Sequence, residues 1–197
     1  MWIGLEINLL SIIPLIKRRN NLFPSEASIK YFITQTLASS IILLAIIINL
    51  HLEEFIPQNS NIYVNIIINS GFLIKIGAAP FHFWFPEVIE GLNWNLCLII
   101  LTWQKIAPII ILIYNLNITI FLSIIIIISS IIRGILGINQ IRLRKILTYS
   151  SINHIGWIIA RILSSISIWL IYFIIYSIIS INIILIFKNL NIFYTKQ

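Results

Sequence analysis

Charged residues are scarce in this chain, and most of those present carry one sign. Only 10% of the 197 residues are charged, with 13 lysines and arginines against 6 acidic residues, while 59% are hydrophobic. Soluble domains hold about 25% charged and roughly 45–50% apolar residues, so a soluble globule could not bury this much apolar surface. The composition excludes a soluble domain of any size and predicts an integral membrane protein.

Cysteine is nearly absent as well. Cys97 stands alone, which excludes an internal disulfide and the usual ligation of an iron–sulfur cluster by four thiolates. The sequence also lacks a Gly-rich phosphate loop, a nucleophile elbow and a zinc motif. We therefore expect this chain to bind no cofactor, and any redox centre must belong to a partner.

The net charge of +7 does not indicate nucleic acid, because the cations do not gather into a basic domain with surface aromatics. They mostly separate apolar runs, where lysine and arginine set membrane orientation and contact phospholipid headgroups. We predict phospholipid contacts and no nucleic-acid binding.

The apolar runs and the polar or proline-containing breaks between them predict about seven membrane-crossing helices, each needing roughly 20 apolar residues. The predicted fold is an all-α, polytopic transmembrane helix bundle that forms one domain over residues 1–197. Because the first span is short, we expect the chain to be a fragment. The spans lie near 1–16, 30–49, 62–79, 96–114, 118–136, 146–162 and 166–187.

The loops between these spans test the count, because successive loops alternate between the two sides of a membrane. One side receives Lys17, Arg18, Arg19, Lys30, the 80–95 loop, Arg142, Arg144, Lys145, Lys188 and Lys196. The other side receives His51, Glu53, Glu54 and Arg161. This asymmetry supports seven crossings and predicts that the basic loops, 17–30, 142–145 and 188–196, face the compartment of synthesis.

Lys105 lies near the middle of the predicted 96–114 span, too deep to reach the headgroups. A cation at the bilayer centre costs roughly 2.5–3.5 kcal/mol on insertion scales, so it usually faces a partner or a hydrated cavity. Pro108 follows three residues later, and a proline frees a helical carbonyl that can bind water. This pattern predicts proton transfer at Lys105, with a structural ion pair or a hydrogen-bond anchor as the alternative.

Lys75 and Glu6 also lie within apolar runs. Gly77 and Pro80 follow Lys75 and predict a broken helix, the device by which transporters place ions inside the membrane; snorkelling of the lysine from a helix end is the alternative. Glu6 needs a cationic partner, for which Lys75 and Lys105 are the candidates. A pair about 4 Å apart at an effective dielectric near 20 interacts by roughly 4 kcal/mol, enough to switch a lysine between its charged and neutral forms.

His154 falls near the middle of the sixth predicted span, beside polar residues. It is a candidate for a proton relay through a water wire, and a lone histidine hydrogen-bonded to a neighbouring helix is the alternative. We place His82 at the membrane interface, and we expect Glu87 and Glu90 to be solvated in the 80–95 loop.

Several stretches of the sequence carry a resemblance to a known family. They are residues 2–8, 30–35, 77–87 with the core APFHFW at 79–84, 101–108, and 139–157. Through these stretches the chain resembles the chain 2 family of membrane subunits of mitochondrial NADH:ubiquinone oxidoreductase, which is respiratory complex I. The resemblance covers nearly the whole chain and is strongest to the insect forms. That family has roughly one helix before the first residue here and further helices after the last.

The resemblance implies an antiporter-like membrane subunit, built on inverted repeats with broken helices, that takes part in proton translocation when NADH reduces ubiquinone elsewhere in the complex. It implies that NADH, FMN, iron–sulfur clusters and ubiquinone belong to partner subunits. The partners would be other membrane-arm subunits of complex I, and the basic loops would face the matrix side of the mitochondrial inner membrane.

By motif, Glu6 resembles the glutamate of the family's first repeat, Lys75 its lysine on a broken helix and Lys105 its connecting lysine. We expect these three residues to form a charged axis along the membrane midplane, with His154 as a bridge beyond it. Two alternatives stay open: a self-contained cation/proton antiporter, and a purely structural membrane subunit.

Overall fold

The computed structural model describes residues 2–16, 22–55, 62–116, 118–190 and 193–194, with the side chains of residues 22, 52–55 and 166 left aside. Nine α-helices and no β-strand occur in these ranges, so the predicted all-α class is confirmed. In chain order the helices are α1 (Trp2–Ile16), α2 (Leu22–Phe55), α3 (Ile62–Ile76), α4 (Trp84–Gly91), α5 (Trp94–Leu101), α6 (Trp103–Tyr114), α7 (Thr119–Ile138), α8 (Leu143–Ser164) and α9 (Ile166–Asn189).

Each predicted span coincides with helical structure, but two details differ from the prediction. The predicted 96–114 span consists of two helices, α5 and α6, which meet at Thr102. The 80–95 segment, predicted to be a loop, contains the eight-residue helix α4. It escapes a search for long apolar runs because only one face is apolar, with Phe85, Val88 and Ile89 buried.

Four stretches among the described residues are long and apolar enough to cross a membrane: Phe23–His51, Trp94–Tyr114, Thr119–Ile138 and Ser167–Asn189. The helices α1 and α3 are apolar but shorter, with 15 residues each. Helix α8 has 22 residues but carries polar side chains along much of its length. The count of seven crossings therefore stays a prediction.

Two apolar cores hold the bundle together. The first gathers residues of α1, α2, α3 and α6–α9, including Phe72, Leu122 and Ile155. The second joins α1, α2, α4, α5 and α8 with the end of α9 through residues such as Val88 and Ile100. Large isoleucines cover the outside, whereas Lys75 and Lys105 are buried, the distribution expected where lipid surrounds the helices and buried charges face the bundle interior.

Residues of the predicted basic side meet at one end of the bundle. Lys30 Nζ on α2 lies 2.7 Å from Glu87 Oε2 on α4. Lys145 Nζ on α8 lies 2.9 Å from Glu90 Oε2, and Arg142 pairs with the same carboxylate. Both glutamates thus pair with cations of two other helices; the Glu87 side chain remains 56% exposed, as expected for a solvated residue, whereas that of Glu90 is only 23% exposed.

Aromatic contacts extend this basic end to two more helices. The Arg144 guanidinium carbon lies 5.1 Å from the centre of the Trp94 ring at the start of α5, and the Trp94 ring lies 5.7 Å from Phe187 near the end of α9. Of the other residues assigned to a side, Lys17, Arg18, Arg19 and Lys196, and the side chains of Glu53 and Glu54, lie outside the described part of the chain.

Candidate functional site

Helix α3 ends inside the bundle, immediately after Lys75. Gly77 has a φ of 76°, the left-handed conformation that ends helices and favours glycine. The amides of Gly77 and Ala78 both donate to the Leu73 carbonyl, at 3.0 Å each. The break therefore follows from the glycine, as the sequence predicts, and it leaves the last carbonyls of α3 to other partners.

Side chains from two other segments bind those carbonyls. Gln35 Nε2 of α2 donates to the Lys75 carbonyl at 3.3 Å, and Trp84 Nε1 of α4 donates to the Ile74 carbonyl at 3.2 Å. A helix end buried without such donors would be costly. The negative end of the α3 dipole also favours a cation, so this helix end is a suitable place for a lysine.

Glu6 of α1 faces Lys75. Glu6 Oε1 lies 3.7 Å from Lys75 Nζ, with the lysine side chain 3% exposed and the glutamate side chain 21% exposed. Among the described residues no group forms a hydrogen bond to this Glu6 oxygen. Of the two predicted lysine partners, the structure brings Lys75 to Glu6.

The second helix break lies at Thr102, between α5 and α6. Its hydroxyl donates to the Leu98 carbonyl at 2.8 Å, and its own carbonyl accepts from the Lys105 amide at 3.3 Å. Helix α6 continues through Pro108. The expected irregularity beside Lys105 is present, but it precedes the lysine and is not at the proline.

Lys105 is 2% exposed. Its ammonium donates to the Tyr176 hydroxyl at 3.4 Å and lies 5.1 Å from the centre of the Phe85 ring and 5.4 Å from that of Tyr176. Among the described residues no carboxylate pairs with it. In this part of the chain no structural ion pair is found at Lys105, whereas the alternative of a hydrogen-bond anchor stays open because of the contact with Tyr176.

The two lysines line one cavity. The cavity has a volume of about 20 Å³, which is enough for a single water molecule. Asn8 and Gln104 also line it, and their amides exchange hydrogen bonds of 2.9 and 3.3 Å between α1 and α6. The polar and charged residues lining the cavity are Asn8, Gln35, Lys75, Gln104 and Lys105.

His154 contacts both tyrosines on this face of α9. Its Nδ1 is 2.8 Å from the Tyr172 hydroxyl, and its ring centre is 5.0 Å from that of Tyr176. Both interpretations of this histidine survive, because it binds a neighbouring helix and also lies close to the phenol that contacts the lysine.

His82 is 2% exposed, so its ring lies inside the bundle, and its depth at the membrane interface stays a prediction. The turn between α3 and α4 folds the ring inward, where Nδ1 lies 3.1 Å from the Pro80 carbonyl and the ring lies 4.5 Å from that of Phe83. Sequence position alone does not reveal this, because a residue just after a span normally lies near the headgroups.

Tyr172, Tyr176, Asn8, Gln104 and Phe85 are the contact residues that sequence reasoning missed. The two tyrosines are four residues apart in a mostly apolar helix, which places both side chains on one face. From the sequence, this spacing could have indicated that the two tyrosines share a function, although it does not predict which buried groups they contact. No cluster that could hold a metal ion occurs in the ranges the structure describes.

These features define a class: an all-α membrane bundle whose broken helices carry buried lysines, one of them facing a carboxylate. The chain belongs to the NADH:quinone oxidoreductase/Mrp antiporter transmembrane family, whose family model matches residues 1–196.

Curated relatives agree with this assignment. NADH-ubiquinone oxidoreductase chain 2 of Anopheles gambiae is 48% identical over 197 residues, which are 100% of this chain and 58% of the relative. The protein of the same name from Locusta migratoria is 44% identical over 196 residues, covering 100% of this chain and 57% of the relative. The resemblance to the chain 2 family is confirmed, and the chain spans a little over half the length of these relatives.

Solved structures share the fold. A chain of respiratory complex I from Thermus thermophilus superposes with a TM-score of 0.78 at 23% identity, covering 91% of this chain and 44% of that one. A chain of the Mrp complex from Dietzia sp. gives 0.78 at 15% identity, covering 91% and 38%. The fold of this chain is therefore shared with one chain of each of these two complexes.

Proposed function

We propose that this chain is a membrane-arm subunit of the proton-translocating NADH:ubiquinone oxidoreductase and takes part in moving protons as electrons pass from NADH to ubiquinone. The observation that carries the proposal is the arrangement of Lys75 and Lys105 at two helix breaks around one small cavity. One lysine faces a carboxylate and the other has none among the described residues. Two lysines differing in this way suit a site where protonation changes in turn.

The electrostatic step begins at the Glu6–Lys75 pair. Opposite charges about 4 Å apart interact by roughly 4 kcal/mol at an effective dielectric near 20. When charge moves in a neighbouring subunit and the pair opens, Lys75 loses this support, and its positive charge is felt more strongly at Lys105 in the same cavity. A proton on Lys105 is then released toward the side to which water has access.

In this proposal the proton leaves Lys105 on the side where Tyr176 and His154 lie. Tyr176 of α9 contacts Lys105, and His154 of α8 lies beside the Tyr176 ring. His154 is the proposed bridge beyond the lysine. Moving one charge against the membrane potential takes roughly 2.3 kcal/mol per 100 mV, so the driving energy must come from the redox reaction.

That reaction takes place in other subunits under this proposal. NADH, FMN, iron–sulfur clusters and ubiquinone are assigned to them, and this chain contributes no redox group. Its partners are other membrane-arm subunits and the phospholipids of the mitochondrial inner membrane. The ion pairs Lys30–Glu87 and Lys145–Glu90 join α2, α4 and α8 at the basic end, and the excess of cations there is the reason for assigning that end to the matrix.

The test is the proton-to-electron ratio of the complete complex in sealed liposomes with Lys105→Met in this subunit. We expect a lowered ratio or stalled turnover in a fully assembled enzyme, because the side chain that carries the proton is lost. Lys188→Met is the matched control, since Lys188 is an exposed lysine at the end of α9. Wild-type pumping by Lys105→Met would refute the mechanism and leave a structural role.

The alternative of a self-contained antiporter is distinguished by flux without the redox arm. That function predicts cation or proton flux through the complete chain 2 protein purified alone into liposomes. We expect no such flux, because the proposed mechanism needs charge movement in a neighbouring subunit to open the Glu6–Lys75 pair.

A further inference from the structure

Tyr176 lies at the centre of the contacts around Lys105. Its hydroxyl accepts from Lys105 Nζ at 3.4 Å and donates to the Leu101 carbonyl at 3.2 Å. Leu101 is the last residue of α5, so its carbonyl lies at the α5–α6 break. One phenol hydroxyl therefore connects helix α9, the helix break and the buried lysine.

Among the described residues, Tyr176 is the side chain that accepts a hydrogen bond from the Lys105 ammonium. The lysine is 2% exposed and Tyr176 is 6% exposed, so bulk water does not solvate the ammonium. The rings of Phe85 and Tyr176 lie 5.1 and 5.4 Å from Lys105 Nζ, within the range of cation–π attraction. A buried phenol that makes a hydrogen bond in each direction is satisfied and held in place.

The same face of α9 reaches His154. Tyr172 precedes Tyr176 by one helical turn, and its hydroxyl lies 2.8 Å from His154 Nδ1. The rings of His154 and Tyr176 are 5.0 Å apart. Helix α9 thus presents one hydroxyl to the lysine and the next to the histidine.

We propose that Tyr176 is the positioning residue of Lys105: its hydroxyl fixes the ammonium beside the Leu101 carbonyl and holds the lysine toward the face of α9 that contacts His154. In this role Tyr176 gives up no proton. The inference rests on the proposed function, because it acts through the proton that Lys105 carries.

The test is a double-mutant cycle of Tyr176→Phe and Lys105→Met, measured as the rate of proton pumping by the assembled complex in liposomes. Tyr176→Phe keeps the ring and its packing and removes only the hydroxyl. We expect it to lower pumping by about tenfold, which corresponds to the loss of one hydrogen bond to a charged group. The double variant should pump no less than Lys105→Met alone, because residues that act through one another are not additive.

Tyr114→Phe is the matched control, since it removes a hydroxyl from the exposed end of the helix that carries Lys105; it should pump as the unmodified protein does. Unchanged pumping by Tyr176→Phe would overturn the inference. So would additive losses in the double variant, because Tyr176 would then act independently of the lysine. Failure of the proposed function can be distinguished from failure of this inference, because only the former predicts unchanged pumping by the Lys105→Met variant alone.

Discussion

Glu6 Oε1 lies 3.7 Å from Lys75 Nζ, across the space between α1 and the broken end of α3. At this distance the charges attract, but the atoms are beyond the roughly 2.7–3.2 Å of an N–H···O hydrogen bond. The ammonium is therefore held by charge and by the C-terminal end of the α3 dipole. A pair without a direct hydrogen bond is easier to open than a tight one, which is what an electrostatic switch requires.

Glu6→Gln tests this pair. The substitution keeps the shape of the side chain but leaves Lys75 buried without its carboxylate; breaking a fully buried pair costs about 3–5 kcal/mol, and less where one partner is partly exposed. We expect proton pumping to fall by about tenfold or more in an assembled complex, measured as proton uptake by liposomes during NADH oxidation.

Glu26→Gln is the control for Glu6→Gln. Glu26 forms an exposed ion pair with Lys30 at 2.8 Å, and such pairs contribute about 0–1 kcal/mol. It should leave pumping unchanged. If Glu6→Gln pumps equally well, the Glu6–Lys75 contact has no part in the mechanism.

Gly77→Ala tests the break that ends α3 inside the bundle. The glycine has a φ of 76°, and an added Cβ would lie 3.2 Å from Phe85 Cγ. A left-handed conformation costs an alanine about 1–2 kcal/mol, so we expect a lower midpoint of thermal inactivation for the assembled complex. Gly134→Ala is the control, because Gly134 lies in α7 with nothing within 4 Å of the added Cβ. Equal midpoints for the two variants would mean that the break does not depend on glycine.

Burial of charge is the part of the site that the sequence predicts best. Lys105 stands in the middle of a long apolar run, and the cost of a cation in hydrocarbon is enough to indicate that it faces the interior. For Lys75, near a span end, snorkelling stayed an alternative, and the structure shows the lysine to be 8% exposed. The same reasoning gives Glu6 a lysine partner. The helix break after Lys75 follows from Gly77, whose conformation the structure confirms.

The rest of the site depends on distant pairings. Lys75 was not distinguishable from Lys105 as the partner of Glu6, because the choice depends on how α1 packs against α3. No glycine or proline adjoins Thr102, so the sequence does not predict the helix break at this residue. Tyr176 follows Lys105 by 71 residues, and no local pattern joins residues so far apart. Helix α4 was missed because it is too short and too amphipathic to resemble a span.

Gly156→Ala tests the close contact between α7 and α8. An added Cβ at Gly156 would lie 2.0 Å from Ser129 Oγ and 3.2 Å from Ser129 Cβ, so the helices must separate or the serine must move. Overpacking of this kind typically costs about 1–3 kcal/mol, and we expect a lower yield of assembled complex on native gels. Adding Ser129→Ala should restore part of the yield, because it removes the nearest atom. A single variant that assembles normally would show that this contact is not tight.

The orientation of α8 provides the sharpest test of the predicted topology, because Arg142 and Arg161 mark its two ends. In a Cys97→Ser background, which removes the buried natural thiol, Arg142→Cys and Arg161→Cys each offer one exposed site for a membrane-impermeant maleimide.

We expect Arg161→Cys to react in mitoplasts, from the outer side, and Arg142→Cys to react only in inside-out vesicles. The two positions are 19 residues apart, a rise of about 28 Å in an α-helix, close to the roughly 30 Å of the hydrocarbon core. Reaction of both from one side would mean that α8 does not cross, and the basic ends of α2 and α8 could then no longer be assigned to the matrix by alternation of the loops.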